Sequence, residues 1–282
     1  MQTKMSPLII NLAPTGMVPM PTQTPYVPIN SKDIAEVALR CATLGASMIH
    51  IHARAEDGTP STSASIFADI IAKIRGKNSD LIITATTSGR MVKDVEERAA
   101  SLYLDKDLRP DMASLTLGSM NFVKDASVNS PTTIMRLAEI MLERGIKPEL
   151  EVFDLGMVNF AKILIEKGLI APPYYFNILL GNPSTAQANM LHIGMIVNEL
   201  PPNSIWSLAG IGRFQKTANA LGVVIGDGVR VGVEDNIWLD DDRTNLASNE
   251  MLVERVVKQS KALGRSIASP TEVRQRLGMT ER

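Results

Sequence analysis

The chain has 282 residues, a formal net charge of −1, 21% charged and 4% aromatic residues, three histidines and one cysteine. Near-zero charge, dispersed Lys and Arg and few aromatics argue against a nucleic-acid groove or an anionic membrane surface and leave small-molecule chemistry. Cys41 alone rules out an intrachain disulfide and lies in an apolar helical pattern, so it reads as a core thiol in a reducing compartment. Met1 to Leu12 carries one Lys and only a short apolar run before Pro14, too little for a signal peptide, and no stretch approaches a membrane span. A soluble, cytoplasmic protein is expected.

Short apolar runs of strand length alternate with segments of helical period along nearly the whole chain. The predicted strands are Pro7–Leu12, Met48–Ala53, Leu81–Thr86, Met112–Leu117, Glu149–Phe153, Tyr174–Leu180, Ile205–Ala209 and Val229–Val233. The predicted helices are Ser31–Leu44, Ser63–Arg75, Val92–Tyr103, Thr132–Glu143, Val158–Lys167, Thr185–Glu199, Gln215–Leu221 and Asn249–Ala262. A Pro-rich loop, Pro14–Pro28, and a tail from Ser266 that starts a short helix near Pro270 are left over. Eight strand–helix units fit one parallel (β/α)8 TIM barrel spanning residues 1–282, with a helical tail. An open doubly wound sheet is the alternative, but no G-x-G-x-x-G follows the first strand.

Side chains alternate across a strand, so His50 and His52 share one face of Met48–Ala53 while Ile49 and Ile51 take the other. Two such imidazoles, roughly 7 Å apart along the strand, can converge on one ion. On the last strand Val229, Val231 and Val233 form the helix-facing set, leaving Arg230, Gly232 and Glu234 toward the interior, and Asp235 begins the next loop. In a closed barrel strands two and eight both flank strand one, which lets Glu234 meet the two histidines. Two imidazoles and a carboxylate suit a catalytic zinc and also match the facial triad of non-haem iron; without other signs of oxygen chemistry, zinc is preferred. An interior Arg230–Glu234 salt bridge is the competing structural reading.

Thr84 and Thr86 share the inner face of the third strand before Thr87-Ser88-Gly89, and Ser114 and Thr116 repeat the arrangement on the fourth before Gly118. Hydroxyls and a glycine at a strand end make a carboxylate or phosphate cradle, although barrels also pack small polar residues inside. His192, among Met190, Leu191 and Ile193, reads as structural.

These pieces together resemble the β-keto acid cleavage enzymes. The motifs are H-I-H-A-R-x-x-D-G-x-P from His50 to Pro60, T-T-S-G from Thr86 to Gly89, M-A-S-L-T-x-G-S-x-N-F from Met112 to Phe122, E-V-F-D from Glu151 to Asp154, and V-R-V-G-V-E-D-N from Val229 to Asn236. The resemblance implies a zinc-dependent barrel that reacts a β-keto acid with acetyl-CoA as co-substrate, giving acetoacetate and a new acyl-CoA. It implies His50, His52 and Glu234 as metal ligands, Arg230 and Asp235 as the acid–base pair, and Thr86, Gly89 and Ser114 or Thr116 as substrate contacts. It also implies a homo-oligomer.

Two departures stand out. Members that take a cationic amino substrate carry an acidic residue in the first loop, where this chain has Met17-Val18, so Val18 implies a neutral or apolar keto acid. Gly228 stands where the family often has His. Two other readings compete: a metal-dependent barrel hydrolase, disfavoured because no middle strand adds a histidine, and a non-catalytic barrel that binds small acids, disfavoured by Asp235 beside Glu234.

Overall fold

The structure, a computed structural model, describes residues 5–280. Eight parallel strands close in chain order: β1 (Ile9–Leu12), β2 (Met48–Ile51), β3 (Ile82–Ala85), β4 (Met112–Thr116), β5 (Lys147–Val152), β6 (Tyr174–Leu180), β7 (Ser204–Gly210) and β8 (Gly228–Val231). The last strand pairs with the first, Ile9 opposite Gly228 and Leu12 opposite Val231, so the sheet has no edge and the open-sheet alternative falls. Among the described residues no helix is long and apolar enough to cross a membrane.

Helix boundaries follow capping chemistry. Asn30 accepts the Asp33 N–H at 2.9 Å to start α1 (Ser31–Leu44), and α2 (Ala64–Arg75) follows β2. The helix expected over Val92–Tyr103 is instead one turn, α3 (Val95–Arg98), followed by a 3-10 turn at Ala100–Tyr103. Asp94 caps it by accepting from Glu96 and Glu97, which moves the start inward, and Arg98 is drawn into the protein by the Thr87 carbonyl. Pro131 opens α4 (Pro131–Glu143), and Asp154 caps α5 (Leu155–Glu166). The helix expected from Thr185 starts later, as α6 (Met190–Glu199), because Asn189 is its cap and the Gln187 amide ties Asn182 and Thr185 into a preceding turn. His192 Nδ1 accepts the Gln187 N–H at 2.8 Å and so fastens that turn, a structural role. The remaining helices are α7 (Gln215–Ile225), α8 (Asn249–Ala262) and α9 (Pro270–Arg276), the last started by a Ser269/Glu272 capping box.

The core outside the barrel wall falls into two shells. One covers β8 and β1 to β3: Val229, Val231 and Val233 pack with Ile34 and Ala38 of α1 and Leu252 and Val256 of α8. The other covers β4 to β7, where Leu115, Leu150 and Ile178 meet Leu137 of α4 and Ala161 of α5. Each fully buried aliphatic side chain contributes about 1.5–3 kcal/mol. Cys41 is buried in the first shell, and burial pushes its thiol pKa up, as befits a core thiol. The N-terminal end of the lumen is filled by Ile9, Met48, Ile82, Met112 and Tyr175, against which Val273 of α9 and Leu277 just after it pack. The C-terminal end is left to polar groups, where barrel chemistry resides.

Candidate active site

The alternation read from β2 and β8 has a direct geometric result. His50 and His52 project into the lumen, and their Nε2 atoms lie 3.2 Å apart. Glu234, in the turn just past β8, brings Oε1 to 3.2 Å from His52 Nε2 and 4.0 Å from His50 Nε2. Three ligands on a tetrahedral zinc at about 2.1 Å would stand about 3.4 Å apart, so these atoms already have the spacing of a three-ligand set. Glu234 Oε2 is buried without a hydrogen-bond partner among the described residues. Two ring nitrogens and a carboxylate with one oxygen left unpartnered make a donor set that fits a divalent cation.

A second group, His50, Glu149 and Glu151, is equally compact. Its space is taken by Arg230, whose Nη1 lies 3.6 Å from Glu149 and 3.2 Å from Glu151. That guanidinium repels a cation there.

Glu149, not among the site residues expected from the sequence, is fully buried directly behind this candidate ligand set. Its Oε1 lies 3.2 Å from His50 Nδ1, so it accepts the Nδ1–H and leaves the Nε2 lone pair aimed at the ligand cluster. Asn177 and Asn11 also donate to it. Burial alone would raise Glu149, but His50 and Arg230 outweigh it and hold the carboxyl below the usual range. Burial and Arg230 oppose a charge on His50; Glu149 and Glu234 overcome them and raise its pKa. His52, which lacks a second carboxylate, is lowered by burial.

Arg230 is 2% exposed and organises the acids around it. Nη2 donates to Glu234 at 2.6 Å, and Nε donates to Asp235 at 3.0 Å. The interior Arg230–Glu234 pair expected as a structural alternative therefore exists together with the triad. Burial and the like charge of Glu234 raise Asp235 despite Arg230, which moves this carboxylate toward the range of a useful base. His50, His52, Glu234, Arg230 and Asp235 all meet here.

The other predicted residues divide. Thr86, half-buried, lines a small cavity beside His52. Ser114 is buried and accepts the Thr87 N–H at 3.1 Å, while Thr116 donates to Glu151 at 2.6 Å. Gly89 packs against Arg98: a Cβ there would stand 2.5 Å from the guanidinium, so the missing side chain admits Arg98. Val18 is 56% exposed and outside the cavity, whereas its neighbour Met17 lines it with Pro60, Phe67 and Met91. Among the described residues no acidic side chain lines that cavity.

The loop after β1 is held by Arg54, which donates to the carbonyls of Gly16, Gly58 and Pro19 at 2.7–2.9 Å. Gly16 has φ +63°, and a Cβ on it would overlap the Glu234 side chain. Only glycine meets both demands.

A family model described as beta-keto acid cleavage enzyme matches residues 7–279. The chain belongs to that family. A 3-keto-5-aminohexanoate cleavage enzyme from Fusobacterium nucleatum is 40% identical over 278 residues, covering 98% of this chain and 99% of the relative. A 3-oxoadipate:acetyl-CoA acetyltransferase from Cupriavidus necator is 34% identical, covering 97% of this chain and 95% of the relative. Among solved structures, apo ObcA aligns with a TM-score of 0.80 at 20% identity, over 90% of this chain; the chain spans 66% of ObcA, and this likeness is one of fold.

Proposed function

We propose that this β-keto acid cleavage enzyme family member is a zinc-dependent acyltransferase that converts a neutral or apolar β-keto acid and acetyl-CoA into acetoacetate and a new acyl-CoA. The observation that carries the reading is the Arg230–Asp235 pair at 3.0 Å, one residue from a metal-competent His50, His52, Glu234 set. Relatives named for acetyl-CoA acetyltransfer support the chemistry. Two imidazole nitrogens and one carboxylate suit zinc.

His50, His52 and Glu234 would hold the ion, which when bound supplies Lewis acidity toward the keto acid. Glu149 fixes the His50 tautomer, and Arg230 orients Asp235. Asp235 removes the proton from the α-carbon. The carbanion forms a C–C bond to the thioester carbonyl carbon of acetyl-CoA, and the CoA thiolate leaves. That thiolate then attacks the former keto carbon, the bond from it to the α-carbon breaks, and the proton held by Asp235 returns to the departing acetoacetate. Thr86 stands beside His52 with a hydroxyl available to the acid, while Ser114 and Thr116 shape that wall through Thr87 and Glu151.

Met17, Pro60, Phe67 and Met91, with no carboxylate among them, favour an uncharged tail. An ammonium group would lack a counter-ion in that cavity. The test is a panel of β-keto acids with acetyl-CoA, following acetoacetate and acyl-CoA by mass spectrometry with and without a chelator. Turnover by the metal-loaded protein, lost with the metal and absent in Asp235→Asn, is expected. Undiminished rates after complete metal removal would overturn the reading.

A further inference from the structure

Buried arginines in this protein are generally committed to acceptors. Arg54 is held by three backbone carbonyls, and Arg98 donates to the Thr87 carbonyl at 2.8 Å and Asn129 at 2.7 Å. Arg265 donates to the carbonyls of Ser6, Val223 and Gly226. Arg230 is surrounded by carboxylates. Arg90 departs from this pattern: among the described residues its guanidinium makes no hydrogen bond and no ion pair, although the residue is half-buried.

Its one defined partner is an aromatic face. The Arg90 guanidinium carbon stands 3.6 Å from the centroid of the Phe122 ring. Phe122 meets Phe153 edge-on, with centroids 5.9 Å apart, and Phe153 is 4% exposed at the end of β5. The platform is therefore anchored in the barrel wall next to Glu149 and Glu151. Stacking engages the face of a guanidinium and leaves its N–H edge open for two oxygens.

Position completes the argument. Arg90 lies in the loop after β3, between Gly89 and Met91, and Met91 lines the cavity beside His52 and Thr86. The charges of Glu234 and Asp125 act on it, though neither pairs with it. A cation of this kind at the mouth of a site crowded with carboxylates serves anions that must enter there. On the acyl-transfer reading both substrates are anions.

We propose that Arg90, stacked on Phe122, is the anion-recognition arm of the barrel mouth and takes an oxyanion pair by bidentate hydrogen bonds. The oxyanion belongs either to a CoA phosphate or to a carboxylate of the acid substrate. This inference rests on the acyl-transfer reading for the identity of its ligands, but its test needs no turnover. A charge-assisted pair of this type is worth about 1.5–3 kcal/mol, or about ten- to hundredfold in Kd.

The experiment is calorimetric titration of the metal-loaded wild type, Arg90→Met and Arg90→Lys with CoA, with pantetheine, which lacks the phosphates, and with acetoacetate. A tenfold or greater loss in Arg90→Met for CoA but not pantetheine assigns the arm to phosphate. The same loss for acetoacetate assigns it to carboxylate. Arg90→Lys, which keeps the charge without the planar fork, is expected to lie between. Equal Kd values in wild type and Arg90→Met for all three ligands overturn the inference alone. A wild type that binds neither CoA nor acetoacetate overturns the acyl-transfer reading and this inference with it.

Discussion

Replacing Glu149 by Gln tests the arrangement behind the proposed metal ligands rather than those ligands themselves. The substitution keeps the shape and removes one buried negative charge, 3.2 Å from His50 Nδ1 and 3.6 Å from Arg230. Arg230 retains Glu151, Glu234 and Asp235, so no cation is stranded and the fold should survive. What is lost is the charge that holds the Nδ1–H and makes Nε2 a stronger donor. Outer groups of this kind are worth about 10–100-fold in metal affinity, equivalent to about 1.4–2.7 kcal/mol. Competition against a chromophoric chelator reads the affinity, with elemental analysis as a check. Glu151→Gln is the control, because Glu151 touches Thr116 and Arg230 but not His50. Wild-type affinity in Glu149→Gln, or an equal loss in the control, would refute the reasoning.

Gly16→Ala should cost about 1–2 kcal/mol from its left-handed backbone and displace Glu234. Metal affinity in that variant should fall at least about tenfold; intact affinity would mean that the loop yields instead. For pH dependence, burial and Glu234 raise Asp235 while the Arg230 cation opposes them. Arg230→Lys weakens that opposition, so the acidic limb of the kcat/KM profile should move to higher pH, with lost rate partly recovered as pH rises. A limb that stays or moves down, with metal still bound, contradicts the assignment of Asp235 as base. Leu277→Ala should destabilise the fold by about 2–5 kcal/mol in thermal or urea denaturation, because Leu277 is fully buried against the lumen floor. Its metal affinity should be unchanged, and a parallel loss of metal would join floor and site in a way the packing does not suggest.

Much of this was readable from alternation. The three valines of the last expected strand, Val229–Val233, announced the packed side, and with it the inward course of Arg230 and Glu234; His50 and His52 followed from the same period of two. Glu149 escaped because its meaning is non-local. It stands 99 positions from His50, and only barrel closure brings the two together. The available signal was Glu149 and Glu151 at spacing two on a predicted strand, the same sign of expense that marked β8. Thr116 and Ser114 were identified as polar and inward, but their donors and acceptors depend on neighbouring strands. Helix α3 was overextended because its period looked helical from Val92, whereas the Asp94 cap and the inward pull on Arg98 decide where it runs.

The two shells around the barrel share no packed residues, and they meet at β3–β4 and β7–β8, where the register pairs only two positions each. Those junctions suggest crossover points for chimeras between family members, provided α7 is kept matched to both shells, since its Leu221 packs on one and its Val223 in the other. The lumen obeys a different rule. Arg230 arrives from one shell and Glu149 and Glu151 from the other, so a chimera inherits its stability by halves but its chemistry only as a matched set.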